Sequence, residues 1–122
     1  MNRTFVVWGS ILGFLSVALG AFGAHALKDV LSAARLANFQ TGVQYQMMHA
    51  LGLIGVGLAS IGLGQRRALA WAGWSMVIGI IVFSGSLYAL SMLDMTMLGA
   101  ITPIGGVAFL IGWLSLAIAA WK

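Results

Sequence analysis

The chain has 122 residues, of which 61% are hydrophobic and only 7% are charged, with a formal net charge of +4. A soluble globular domain carries about 25% charged residues, so this composition excludes one because too few polar groups are present to cover its surface. The six lysine and arginine residues are scattered without a basic stripe, which argues against a nucleic-acid partner, and the absence of cysteine excludes disulfides, thiolate metal sites and cysteine nucleophiles.

Four stretches without a charged residue are each long enough to span a bilayer: 4–27, 36–65, 68–93 and 95–121. A helix needs about 20 apolar residues to cross a hydrocarbon core of about 30 Å. Helices are favoured because backbone groups in lipid must pair within their own segment. The sequence therefore predicts an all-α membrane protein with a single transmembrane domain over 1–122. Its four transmembrane helices are expected at about 5–26, 44–64, 69–93 and 98–121.

The first two predicted helices carry small residues at helical spacing. The apolar run over 5–23 is longer than the roughly 7–15 residues of a signal-peptide core, so we interpret it as a retained helix. Small residues let helix backbones approach closely in lipid. We expect five of them to serve helix packing, within the bundle or between subunits: Gly9 and Gly13 in the first helix, and Gly55, Ala59 and Gly62 in the second.

The connection between the first two helices, residues 27–41, is the least apolar part of the chain. Asp29 is a candidate N-cap, and apolar residues recur after it at helical spacing. This pattern predicts a short amphipathic helix lying in the membrane interface at about 29–40. Gly42 is expected to mark a bend into the second transmembrane helix.

The last two predicted helices are joined to their neighbours by short connections. The 65–68 turn predicts a tight antiparallel hairpin between the second and third helices. Pro103 inside a helix would remove a hydrogen bond, so Thr102 as N-cap with Pro103 at the first helical position is the expected start of the fourth helix. Residues 95–101 would then form a loop against the outer end of the bundle.

Flanking cations predict the orientation in the membrane. With four spans, one side holds the basic residues of the two termini and of the 65–68 turn, and the other side holds two cations. The four are Arg3, Arg66, Arg67 and Lys122, against Lys28 and Arg35. Cytoplasmic connections carry an excess of lysine and arginine, so we expect both termini in the cytoplasm.

Five residues form a candidate polar cluster at the outer side of the membrane: His25, His49, Tyr88, Asp94 and Thr102. Ionisable groups at membrane depth are costly and usually face the bundle interior or a cavity. Histidine is a common metal ligand, and the methionines at 47, 48, 92, 95 and 97 on the same side would suit Cu(I). The alternative is structural, with His25 at the interface and His49 bonded to a neighbouring helix. We favour the structural interpretation and assign no metal and no cofactor.

Four motifs follow one another along nearly the whole chain. They are GAFGAHAL at 20–27, Tyr45 with the His49-Ala-Leu segment, FSGSLYAL at 83–90 and LGAITPIGG at 98–106. Together they resemble the small YgdD/YwdK-like membrane proteins, a domain of unknown function found in bacteria, with mitochondrial relatives in animals. The resemblance implies a four-helix, multi-pass protein of the bacterial inner membrane and implies no activity. Its pattern includes His25 and His49 but not the methionines at 92, 95 and 97.

Three classes of function remain open. The first, which we favour, is a non-enzymatic structural or accessory component that associates with itself or with a larger membrane complex. The second is a small oligomeric transporter or channel with an outward-facing pocket around His25, His49, Tyr88 and Asp94. The third is an enzyme or redox carrier in which the two histidines bracket a haem or bind a metal with Asp94. The expected partners are therefore the lipid bilayer and further copies of the chain or a larger complex.

Overall fold

The computed structural model describes residues 3–93 and 95–121, and this part of the chain is helical with no strand. Five α-helices, a π-helical segment and a 3₁₀ helix follow one another. They are α1 (Arg3–His25), α2 (Ala33–Leu63), α3 (Arg67–Gly79), the π segment (Ile80–Ser84), α4 (Gly85–Leu93), the 3₁₀ helix (Thr96–Ala100) and α5 (Thr102–Trp121).

Four spans are long and apolar enough to cross a membrane, which confirms the predicted architecture. They are Arg3–His25, Ala33–Leu63, Arg67–Leu93 and Thr96–Trp121. The third span combines α3, the π segment and α4. The connection at 26–32 and the residues 95–101 lie at one end of the bundle, here called the loop end. Arg3, the α2–α3 turn and Trp121 lie at the opposite end, here called the terminal end.

The prediction of a separate interfacial helix at about 29–40 is wrong, because most of these residues belong to α2. The N-cap of α2 is Ser32, whose hydroxyl accepts a hydrogen bond from the Arg35 backbone N–H at 3.3 Å, and the helix then continues without a break through Gly42 to Leu63. Gly42 is needed for close packing instead of bending, because a Cβ atom there would lie 2.7 Å from Cε1 of Tyr88. The 31 residues of α2 span about 46 Å at the α-helical rise. This length exceeds the hydrocarbon core of about 30 Å, so the first turns of α2 take the place of the predicted helix.

The α2–α3 turn forms the short hairpin connection that the sequence predicts. Gly64 adopts a φ of 78°, a left-handed conformation that glycine reaches without the steric cost of a Cβ. Arg66 then donates from Nε to the Leu63 carbonyl at 2.8 Å and from Nη1 to the Ala119 carbonyl at 2.7 Å. Its guanidinium thus binds carbonyls at the C-terminal ends of both α2 and α5, where a cation is favourable, and it ties the hairpin to the last helix.

The start of the fourth span differs in detail from its prediction. Residues 96–100 form a 3₁₀ helix instead of a loop, and Thr102 is the first residue of α5. The Thr102 hydroxyl lies 2.6 Å from Oγ of Ser86. Pro103 therefore sits in the first turn of α5, where its missing N–H removes no helical hydrogen bond.

The spans pack in a definite order. α1 lies along α2, α5 lies along α3 and the π segment, and α2 and the third span form the middle of the bundle. The shared core includes Phe5, Leu53, Met76 and Phe109. Because lipid provides no hydrophobic force between helices, close packing must hold them.

The five small residues predicted for packing fall into two groups. Gly9 lies at the α1–α2 contact, where a Cβ would be 2.7 Å from the Ala50 carbonyl oxygen, and Gly13 faces the Ala50 side chain. Ala59 packs against the core from its edge. Gly55 and Gly62 are exposed, and an added Cβ at either would meet nothing within 4 Å. The bundle therefore gives a packing reason for Gly9 but none for Gly55 or Gly62.

Candidate functional site

His49 lies near the middle of α2 and is 2% exposed. Its Nδ1 is 2.7 Å from the carbonyl oxygen of Tyr45, one turn earlier, and its Nε2 is 2.9 Å from Nε1 of Trp113 on α5. A carbonyl can only accept and an indole N–H can only donate. Nδ1 therefore carries the hydrogen, Nε2 accepts, and the ring is the neutral Nδ1–H tautomer. Neither nitrogen is left free to bind a metal ion.

Aromatic rings enclose the same histidine. The Phe109 ring is stacked on the imidazole with centroids 3.5 Å apart and planes 9° apart, and Phe109 also packs against Phe83 at 5.3 Å. Tyr45 lies on Phe83 at 4.7 Å. The imidazole thus acts as one member of an aromatic cluster that joins α2, the π segment and α5.

Gln46 connects three spans through its side-chain amide. Tyr88 of α4 donates to Oε1 of Gln46 at 2.6 Å, and Nε2 of Gln46 donates to the Leu12 carbonyl of α1 at 2.9 Å. Ser16 Oγ donates to the same Leu12 carbonyl at 2.8 Å. The Tyr88 hydroxyl and the Gln46 amide are therefore used as links between helices.

Two serines fasten the third span to its neighbours. Ser84, fully buried in the π segment, donates to the Gly42 carbonyl of α2 at 2.7 Å, and Ser86 pairs with the Thr102 hydroxyl at 2.6 Å. The π turn also places Phe83 against α5, where a Cβ on Gly105 would be 2.6 Å from Cβ of Phe83. Single π turns inside α-helices often mark functional positions, and here the turn aligns a polar contact on one neighbour with a close contact on the other.

The structure does not join the five predicted polar residues into one hydrogen-bonded cluster. His49 is bonded to Trp113, Tyr88 to Gln46 and Thr102 to Ser86, so within residues 3–93 and 95–121 no two of them bond to each other. His25 is exposed at the last residue of α1. Asp94 lies outside the described residues.

Sequence reasoning missed Trp113 as the partner of His49. The available signal was a tryptophan inside an apolar span, since an indole N–H away from water needs an acceptor. Its acceptor lies 64 residues earlier in the chain, and nothing local to either residue indicates the pairing.

Side chains that could bind a metal ion are few among the described residues. Within the part of the chain that the structure describes, no group of three or more His, Asp or Glu side chains could hold a metal ion. Met92, Met95 and Met97 are exposed around the loop end. Arg35 Nε, near the start of α2, is the one buried side-chain nitrogen or oxygen in the described residues that has no hydrogen-bond partner.

Comparison with known proteins identifies the family. The sequence profile of a family described as "Protein of unknown function (DUF423)" matches residues 19–106. The chain belongs to the DUF423 family. The matched region contains His25, His49, Gln46 and Tyr88, so the links between α2 and the third span lie within the part that defines the DUF423 proteins.

Curated relatives of this DUF423 protein match over nearly the whole chain. The UPF0382 membrane protein YwdK of Bacillus subtilis is 48% identical over 120 residues, covering 98% of both chains. A UPF0382 membrane protein of Staphylococcus epidermidis is 46% identical, covering 98% of this chain and 97% of the relative. The UPF0382 inner membrane protein YgdD of Escherichia coli is 40% identical, covering 98% of this chain and 90% of the relative. These relatives confirm the resemblance that the four motifs indicated, and no solved structure matches the chain.

Proposed function

We propose that the protein is a structural or accessory component of the bacterial inner membrane, built as a rigid four-span unit that associates with itself. The observation that carries this proposal is the use of its buried polar groups. His49, Gln46, Ser84 and Ser86 each form a hydrogen bond to another span. Groups that hold helices together in this way are not available to bind a substrate.

Polar atoms in lipid have a high free-energy cost when they lack a hydrogen-bond partner. A polar group in hydrocarbon without a partner costs several kcal/mol, and a hydrogen bond between membrane helices contributes roughly 0.6 kcal/mol on average and at most about 1.7. The hydrogen bonds of Gln46 and His49 therefore avoid the free-energy cost of unpaired polar groups in lipid. They also add a moderate stabilisation. Their main effect is to fix which helices meet and in what register.

A transporter or channel with a pocket around the histidines receives less support. The two nitrogens of His49 are occupied, its ring face is covered by Phe109, and the Tyr88 hydroxyl donates to Gln46. Transport through this region would require those contacts to break. Reconstitution into proteoliposomes tests the alternative, because flux of protons or small cations above that of empty vesicles would favour it over the structural proposal.

The outward face of α2 is the surface that supports self-association. Gly55 and Gly62 lie seven residues apart on this helix and have no role inside the bundle, while Leu51 and Leu58 beside them are exposed. Small residues flanked by larger apolar ones let two membrane helices approach closely. A second copy of the chain would use this space.

Native mass spectrometry of the protein released from mild detergent tests the proposed assembly. We expect one discrete multimer, which Gly55→Leu converts to monomer because the leucine blocks close approach. Ala117→Leu on the exposed side of α5 is the matched control and should leave the multimer intact. A monomer for the unaltered protein, or a multimer unaffected by Gly55→Leu, would contradict self-association through α2.

The proposed orientation places both termini in the cytoplasm. Its support is the larger number of cations at the terminal end, together with the printed name of the Escherichia coli relative as an inner membrane protein. Asp29, at the loop end, would face the periplasm or the cell exterior.

A further inference from the structure

An open groove of about 270 Å³ lies on the first two turns of α3, at the terminal end of the bundle. Four residues line it: Arg67, Ala70, Trp71 and Trp74. Positions 67, 71 and 74 follow the i, i+4, i+7 spacing of one helix face, so a cation and two indole rings stand in a row along the helix. Ala70 is the small residue between them, and its short side chain leaves the hollow.

One wall of the groove, the Trp74 ring, is held in place by a contact with the bundle. Trp74 packs edge-to-face on Phe5 of α1, with ring centroids 5.3 Å apart and planes at 73°, and Phe5 is fully buried. Trp71 is 62% exposed and Trp74 46% exposed. Both rings therefore present large apolar areas outward, at the level where a membrane helix meets the lipid headgroups.

Among the described residues, the basic side chains of the terminal end have no acidic side chain beside them. No described residue forms a hydrogen bond or an ion pair with the Arg67 side chain. The neighbouring Arg66 is already bonded to carbonyls of α2 and α5. By sequence position, both acidic residues of the chain, Asp29 and Asp94, follow spans that end at the opposite side. Since no described residue supplies an anion to Arg67, an anion from outside the described part of the chain would complement it.

We propose that this groove binds one anionic phospholipid. The phosphate accepts hydrogen bonds from the Arg67 guanidinium, whose planar fork matches phosphate geometry. One acyl chain lies over Ala70 between the two indole rings. The volume is close to the lower end of the roughly 300–1,000 Å³ typical of small-molecule sites, and the open side suits a chain that continues into the bilayer.

The charge of the lipid follows from the residue pattern. The basic residues of the terminal end repel a cationic headgroup and gain little from a zwitterionic one, whose own ammonium balances its phosphate. Anionic lipids are attracted to basic residues at the membrane surface by about 1 kcal/mol per residue. This preference is consistent with a terminal end that faces the cytoplasm, where the leaflet is negatively charged.

Native mass spectrometry with defined lipids tests the proposal. The protein, delipidated in mild detergent, is mixed with equal amounts of phosphatidylglycerol and phosphatidylcholine, and the bound lipid is identified by mass. We expect one phosphatidylglycerol retained per chain in preference to phosphatidylcholine. Arg67→Gln should reduce that preference about tenfold, which is the effect of losing one charge-assisted hydrogen bond. Lys28→Gln removes an equal charge at the loop end and should have no effect.

A second variant separates the groove from the charge. Ala70→Leu keeps Arg67 but fills the floor of the hollow, so we expect it to lower phosphatidylglycerol retention several-fold without changing the net charge. Inorganic phosphate, offered alone, should not be retained because it makes no contact with the indoles. Unchanged retention in both Arg67→Gln and Ala70→Leu would overturn the proposal. So would an equal loss in Lys28→Gln, or retention of inorganic phosphate alone.

Discussion

Both halves of the bundle have close glycine contacts, such as that of Gly42 with Tyr88 in the loop half, but the buried hydrogen bonds between spans are concentrated in the loop half. In the loop half, Tyr88, Gln46 and Ser84 join the helices through hydrogen bonds. In the terminal half the helices meet through glycine, with the Phe5 ring lying on Gly73 and the Met76 side chain lying close to Gly112. His49 stands between the two, bonded to Trp113 and stacked on Phe109.

This difference shows two solutions to the same problem. Lipid provides no hydrophobic force between helices, so association depends on close van der Waals contact or on polar groups. Close packing at glycine requires backbone proximity and tolerates no added atom. Hydrogen bonds require correct partners but accept a longer distance between helix axes. The two halves should therefore respond differently to the same kind of substitution.

The largest effect is expected where the two halves meet. His49→Ala removes a buried ring, leaves a cavity against Phe109 and deprives the Trp113 N–H of its acceptor. We expect a loss of about 3 kcal/mol in the free energy of unfolding. His49→Phe should lose less, because it restores the volume but not the hydrogen bond. Reversible unfolding in detergent measures both, and equal losses would contradict the assigned packing role of the ring.

The next effect tests the glycine contacts of the terminal half. A Cβ on Gly73 would overlap the Phe5 ring, so Gly73→Ala should destabilise the protein by about 1–3 kcal/mol, the usual cost of overpacking. Gly85→Ala is the matched control, because its Cβ would meet nothing within 4 Å and Gly85 lies outside the proposed interface. The same unfolding measurement compares them, and a Gly73→Ala variant as stable as Gly85→Ala would show that the Phe5 ring does not lie on Gly73.

A smaller effect is expected in the hydrogen-bonded half. Tyr88→Phe removes only the hydroxyl that donates to Gln46, and the ring keeps its contact with Phe39 at 5.1 Å. We expect a loss of roughly 0.6 kcal/mol and no more than about 1.7 in the free energy of unfolding. A loss as large as that of Gly73→Ala would contradict the contrast between the two halves.

Part of this architecture was accessible from the sequence. The four spans followed from the charge-free windows, because burying an ionised group in lipid is costly. The residues at which the helices begin and end are harder to predict from the sequence. Asp29 and Ser32 are both ordinary N-cap residues, and in the structure Ser32 caps α2, which continues through Gly42 where Tyr88 packs against it.

The polar contacts were predicted by residue type but not by partner. The sequence places His49 and Tyr88 at membrane depth and predicts a bond from His49 to a neighbouring helix. It could not pair His49 with Trp113, because this depends on how α2 and α5 rotate about their axes. That rotation is set by the close approach of α5 to α3 and the π segment, at Gly112 and Gly105.

A labelling experiment tests which side of the membrane each end of the molecule faces. The chain has no cysteine, so single cysteines can be placed at the exposed residues Gln65 and Lys28. We expect a membrane-impermeant maleimide to label Lys28→Cys in intact cells and Gln65→Cys only after permeabilisation. The reverse pattern would place the termini outside the cytoplasm.

Buried polar residues such as His49 hold the helices together. A double-mutant cycle between His49 and Trp113 tests this most directly, with His49→Phe, Trp113→Phe and the double variant compared by their free energies of unfolding. We predict a coupling free energy of roughly 0.5–1.7 kcal/mol. A coupling indistinguishable from zero would contradict this prediction, because it would show that the imidazole and the indole act independently.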